Sequence, residues 1–300
     1  MVARKRYLMG NVDGILMTTI VSLLLVVATV VMLYPFANVL AVAFSSYKAY
    51  VLSPLRIFPG EFTGTAFTYV FASKMLIRSY GNTIFVTVVG TMISLVITTL
   101  FSYSLSKRHL RGKRVITSLL IFTMMFNGGL IPHFLLMKNL GLVDTYWALI
   151  IPYLLSPFNV VLMRNFFLNM PESLEEAARI DGASEFYTLR KIIVPLAMPI
   201  MATIALFVAV GYWNNYFAAV VYIRSTEKWP LQLLLREILL AASNQMLSTE
   251  GNLAEMSGDA IPMVSIRYAT ILVVIIPITC IYPFLQRYFV KGVMVGSVKG

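Results

Sequence analysis

The chain has 300 residues, of which 59% are hydrophobic and only 12% charged, and its mean hydropathy is +0.80. Soluble domains run at about 45–50% apolar and about 25% charged residues, so the composition excludes an ordinary soluble domain and requires a polytopic membrane protein. The net charge of +11 would suit nucleic acid, but the basic residues lie scattered in short loops with no basic tract interleaved with aromatics, which excludes that partner.

About 20 apolar residues cross a bilayer core. Six stretches meet that length: Ile15–Ala41, Thr83–Leu105, Val115–Met137, Tyr146–Met163, Leu196–Ile223 and Ala269–Leu285, none containing Asp, Glu, Lys or Arg. The expected fold is therefore all-α with six transmembrane helices. Arg4, Lys5 and Arg6 precede the first stretch, and Lys107, Arg108, Arg111, Lys113 and Arg114 crowd the short loop after the second. Short-loop basic residues stay on the cytoplasmic side, so both termini are expected inside. The external segments are then roughly 45–80 and 224–268. Ala41-Val-Ala43 after an apolar run also resembles a signal cleavage site. The run is too long for a signal core and contains Pro35, so it is expected to be a retained span.

Between the fourth and fifth stretches, Glu175–Pro195 reads EEAARIDGASEFYTLRKIIVP, and five acidic residues fall between Glu172 and Glu185. Pro171 suits a first helical turn, and Glu172, Glu175 and Glu176 suit the positive end of a helix dipole. Glu175 and Arg179, four apart, are expected to pair along a solvated face. Leu174, Ala177 and Ala178 supply an apolar side. Gly182 ends the helix, and Ser184–Ile193 starts another before Pro195.

Glu176-Ala177-Ala178, Gly182 and Ile192-x-Val194-Pro195 at these spacings resemble the EAA loop of ABC importer permeases, with Val194 where the family has Leu. The context Ala178–Ser184 resembles carbohydrate importers of the maltose type. Asn82-Thr83, the run Gly211–Phe217 and the ending Tyr288–Gly300 are similar to the smaller permease subunit of the LplC/YtcP-like branch. The resemblance covers essentially the whole chain. It implies a type I ABC importer permease fold in the bacterial cytoplasmic membrane, with residues 1–76 before a permease domain at 77–286, the EAA loop at 170–195 and a cytoplasmic tail at 287–300. It implies ATPase coupling through Glu176, Ala177, Ala178, Asp181 and Gly182. The implied partners are a second homologous permease, two ATPase subunits, an extracellular solute-binding protein and an oligosaccharide. The tail is expected to reach the ATPase dimer.

No phosphate-binding G-x-x-x-x-G-K-[ST] loop occurs, so ATP and Mg²⁺ are expected on the partner ATPase and no cofactor on this chain. Cys280 is alone, and His109 and His133 lack neighbours at ligand spacing. No catalytic constellation is present. An ion-coupled secondary transporter or channel subunit is the rival class. Such proteins usually carry ionisable residues in their spans, although sodium sites can use backbone carbonyls. In the fifth span Tyr212, Trp213, Asn214, Asn215 and Tyr216 combine amides with aromatic rings, as a sugar requires. Tyr212, Asn215 and Tyr216 are expected on one helix face, with Trp213 to one side. Leu231–Leu240 reads as an external apolar helix, either packed on the bundle or contacting the binding protein.

Overall fold

The computed structural model describes residues 2–247 and 263–297. Among them the regular structure is helical, apart from an isolated bridge between Ser45 and Phe62. The chain forms two compact units, Met1–Ala72 with Leu239–Val273 and Ser73–Ile238 with Val274–Gly300.

In the first unit, α1 (Val2–Ala43) carries a 30-residue apolar stretch, Gly14–Ala43, none of whose most apolar window is covered by protein. A helix apolar on every side has no face for water, which is what a lipid-surrounded span needs. Its end is tied down: Asn38 Nδ2 donates to Pro54 O and Arg56 O at 2.9 and 3.0 Å. Phe44 stacks on Phe62 and Phe67, with ring centroids 5.1 and 4.6 Å away. The short helices α2 (Tyr47–Leu52) and α3 (Thr65–Ala72) follow.

The second unit is built on α4 (Lys74–Ser106), whose start is capped by Ser73. Its buried positions include Ser79, Thr83, Val86, Gly90, Ser94, Thr98 and Ser102, a stripe of small and hydroxyl residues recurring every three or four positions. In a membrane such residues let helices approach closely and bond across the contact. Ser94 Oγ donates to Leu154 O at 2.7 Å and Ser102 Oγ to Val160 O at 3.1 Å. Ile77, Ile84, Val88, Met92 and Val96 remain exposed on other sides, an apolar surface suited to lipid.

The remaining helices of this unit are interrupted. α5 (Lys113–Met125) and α6 (Leu130–Asn139) meet at 115°. The third span expected at Val115–Met137 falls on this bent pair, because Asn127-Gly128-Gly129 lies between its halves, with Gly129 at φ +87° and its N–H on Asn127 Oδ1. α7 (Trp147–Ile150), continued by a 3₁₀ turn to Tyr153, meets α8 (Pro157–Leu168) at 47°. Then come α9 (Ser173–Ile180), α10 (Glu185–Thr188), a π-helical turn Leu189–Ile193 and α11 (Val194–Leu196). α12 (Met198–Trp213) leaves that segment at 80°, and α13 (Phe217–Tyr222) follows.

Two long helices complete the described residues. α14 (Leu231–Leu247) extends beyond the expected Leu231–Leu240. α15 (Met263–Ser297) contains the apolar stretch Val264–Ile281. Among the described residues three helices are long and apolar enough to cross a membrane, and up to six spans result if each bent pair counts as one. Val293–Ser297, expected within the cytoplasmic tail, continues α15. Lys299 and the rest of the tail beyond Ser297, and residues 248–262 of the external segment, lie outside the described residues.

Candidate functional site

α9 is short, charged and sharply ended. Glu175 and Glu176 occupy its first turn. At its end Ala183 N–H bonds Ala178 O at 2.9 Å and Gly182 N–H bonds Arg179 O at 3.1 Å, the paired closure that requires a left-handed residue after the helix. Gly182 supplies it with φ +77°, and a Cβ there would meet nothing within 4 Å. Ser184 then caps α10, accepting from Tyr187 N–H at 3.3 Å.

Of the expected coupling residues, Glu176, Ala177, Asp181 and Gly182 are exposed, whereas Ala178 is buried. Ala178 therefore holds α9 against its own chain and presents no free surface. Ile180 follows it by two residues, about 200° around a helix, and so points away, 87% exposed. Phe186 and Tyr187 on α10 are also exposed, at 66% and 54%. These three apolar or aromatic residues complete the outward surface. The spacing of the charged motif carries no sign of them, although the phase of α9 places Ile180 opposite Ala178.

The expected Glu175–Arg179 pair does not form. Glu175 instead bonds Lys107, the residue closing α4, and Lys107 Nζ also donates to Tyr103 Oη at 2.6 Å. The ammonium lies 4.0 Å from the Tyr103 ring centroid. Burial works against the charged Lys107, but the bonds it donates to Glu175 and Tyr103 outweigh it and its pKa is raised. Arg108 and Glu172 form a second, exposed pair at 2.8 Å.

Tyr212, Asn215 and Tyr216, expected on one helix face, do not lie on one helix. α12 stops at Trp213 and α13 begins at Phe217. Asn215 Oδ1 accepts from Ala218 N–H at 3.2 Å and so caps the start of α13. Asn214 is exposed and accepts from Gln232 Nε2 at 3.2 Å. Trp213 is buried against Tyr80, ring centroids 6.4 Å apart, and its indole N–H has no hydrogen-bond partner among the described residues. Tyr216 is exposed at 46%.

Tyr212 and Asn215 do come together in a hollow of about 610 Å³ shared with Tyr153, Phe158, Asn159 and Phe207. Tyr212 is fixed there by its hydroxyl, which donates to Ile150 O at 3.0 Å. Asn159 is only 5% exposed; its backbone N–H bonds Ser156 Oγ at 3.5 Å, and its side-chain amide makes no hydrogen bond to the described residues. The lining contains no charged side chain. Asn159 was missed because it lies in a different span from the Asn-Asn pair.

At the far end of α4, Asn82 Nδ2 donates to Glu227 O and Trp229 O at 2.8 and 3.0 Å, and its Oδ1 accepts from Tyr146 at 2.8 Å. Thr83 Oγ1 accepts from Leu231 N–H at 2.7 Å. Beside them Asp144 accepts from Arg224 N–H, Ser225 N–H, Ser225 Oγ and Lys228 Nζ. Together these bonds clasp the segment 224–231. Among the described residues no group of three His, Cys, Asp or Glu could hold a metal ion.

The family described as "binding-protein-dependent transport system inner membrane component" matches residues 104–295. The chain is 43% identical over 267 residues to the polygalacturonan/rhamnogalacturonan transport system permease protein YtcP of Bacillus subtilis (strain 168), covering 89% of this chain and 92% of the relative. It is 44% identical over 266 residues to protein LplC of the same organism, covering 89% of each. A crystal structure of a bacterial ABC transporter that imports the acidic polysaccharide alginate includes a chain of 36% identity and TM-score 0.84, covering 91% of this chain and 96% of that one.

Proposed function

Because the chain belongs to the family of binding-protein-dependent transport system inner membrane components, as the multi-pass permease subunit of a carbohydrate ABC importer, we propose that α9 and α10 are its docking surface for a cytosolic ATPase. Family membership sets aside ion-coupled secondary transport. On this reading the chain makes six spans with both termini inside, three of them bent pairs, with the permease domain at 77–286. It works with a second permease, two ATPase subunits that carry ATP and Mg²⁺, and an extracellular solute-binding protein.

The observation that carries the docking is the outward placement of Ile180 and Phe186, 87% and 66% exposed, among charged residues that belong in water. Grouped apolar side chains with a polar surround mark interaction sites. Glu176, Ala177, Asp181 and the bend at Gly182 complete that surface. Replacing both Ile180 and Phe186 with Glu is expected to release the ATPase during purification and to abolish uptake. Retention of both overturns the docking assignment.

The substrate is proposed to be an oligosaccharide of uronic acids. YtcP is named for polygalacturonan and rhamnogalacturonan, and the 36%-identical importer takes up alginate. The path on this chain is proposed to run along the hollow at Tyr212 and Asn215, with Asn159 added. Its amides suit sugar hydroxyls and its rings suit sugar faces, so the carboxylates must be met elsewhere in the importer. Calorimetry on the cognate binding protein is expected to give affinity for tri-galacturonate and none for maltotriose; the reverse preference overturns the uronate assignment.

A further inference from the structure

We propose that the Lys107–Glu175 pair is a joint that makes α4 a rigid rod driven by α9. Movement of the ATPase-docked helix would thereby reach the opposite end of the membrane. This rests on reading α9 as the coupling helix.

Three features of the structure support it. The pair is partly withdrawn from water, with side chains 11% and 27% exposed, whereas Arg108 and Glu172 are 83% and 59% exposed. An exposed pair contributes little, but a half-buried one resists separation because either partner alone would be an uncompensated charge. Lys107 is also fixed on the α4 side, by its bond to Tyr103 and by the buried Tyr103 ring packing edge-on to Phe167 at 5.8 Å. The ammonium therefore has little room to follow Glu175 without carrying α4 along.

The covalent connections at the two ends of α9 are softer. It enters from α8 through the non-helical turn at 169–172 and leaves through Gly182, so neither end is a stiff lever. In contrast, α4 is an unbroken helix of 33 residues without proline, about 50 Å long at 1.5 Å per residue. Along that length it touches the other functional elements. Gly90 lies against the Tyr212 ring of the hollow, where an added Cβ would come within 2.6 Å of Tyr212 Cζ. Asn82 and Thr83 hold the clasped segment at the far end. A displacement delivered at Lys107 thus reaches both.

Coupling along such a route needs a direct measurement. In the assembled importer, with Cys280→Ser, spin labels are placed at Ser173 on α9 and at Met75 on α4. Each is measured by pulsed dipolar spectroscopy against a label on the second permease, before and after trapping with ATP and vanadate. Both distances are expected to shift in the otherwise unaltered chain. An unmoved Ser173 would overturn the coupling reading itself. With Lys107→Met, the Ser173 shift is expected to persist while the Met75 shift falls by more than half. The exchanged pair Lys107→Glu with Glu175→Lys is expected to restore it. An undiminished Met75 shift in Lys107→Met, or no recovery in the exchanged pair, overturns the joint. Where Lys107→Met does not assemble, Tyr103→Phe removes the hydroxyl that fixes the ammonium. It is expected to reduce the same shift, and an unchanged shift there also overturns the proposal.

Discussion

Gly182 and Gly90 are glycines for opposite reasons. Gly182 has open space around it but sits at φ +77°, a conformation that costs a residue with a Cβ about 1–2 kcal/mol, with Asn and Asp tolerating it best. Gly182→Leu is therefore expected to disturb the α9–α10 bend and abolish uptake, while Gly182→Asn retains a substantial part, both measured in vesicles with equal amounts of protein. Equal losses would point to the added side chain obstructing the docked partner rather than to backbone strain. Gly90 has ordinary helical geometry but no room. A methyl group there strikes the Tyr212 ring, which cannot swing aside without losing its bond to Ile150 O. Overpacking of this kind costs about 1–3 kcal/mol, so Gly90→Ala is expected to lower the melting temperature in detergent. An unchanged melting temperature would mean that α4 and α12 separate freely at this point.

The clasp around residues 224–231 shows what one short connection can do for a whole element. Asp144, at φ +62°, has its carboxyl held far below the usual carboxylate range. The Ser225 hydroxyl is the main cause, followed by the Ser225 N–H; burial opposes, and the Arg224 N–H and Lys228 assist. A carboxylate whose pKa is depressed by folding adds stability in full above its unfolded value of about 3.9, and loses it as pH falls through the folded value. The stability lost in Asp144→Asn is accordingly expected to be the same at about pH 5 and pH 8, and to shrink only below about pH 4. Melting curves across that range check it; a deficit varying between pH 5 and 8 would identify a different titrating group. These elements also show what a linear reading can reach. The α9 motif was legible from spacing, and the small-residue stripe of α4 was present at the right period although hydropathy masked it. The bend after α5 was signalled by Asn127-Gly128-Gly129, but an apolar window reads straight through glycine. The break after Trp213 had a weaker signal, since Asn214-Asn215 can cap a helix as well as continue one. The Lys107–Glu175 contact joins residues 68 apart in sequence and had no local signature.

At the scale of the whole molecule, the charged, outward surface proposed for docking contrasts with a neutral hollow lined by residues 153–159 and 207–215. Inside a bilayer an amide with no partner is costly, so the amide of Asn159, 5% exposed and opening on the hollow, belongs beside water or a ligand. Asn215 is a poorer probe, because its Oδ1 already caps α13 and its removal would disturb the helix as well as the path. Tyr216 lies outside the lining. Asn159→Leu is therefore the informative change. It replaces a polar group with an apolar one of similar size, and a packing role predicts unchanged or improved assembly with normal transport. A path role predicts intact assembly with uptake of tri-galacturonate reduced about tenfold or more, equivalent to about 1.4 kcal/mol, while Tyr216→Ala leaves uptake near normal. Asn159→Asp supplies the sharper comparison. A carboxylate in a lining without cations would repel a uronate more than a neutral sugar, so its uptake of tri-galacturonate should fall below that of Asn159→Leu. Equal uptake by the two variants would remove the hollow from the path of the charged sugar.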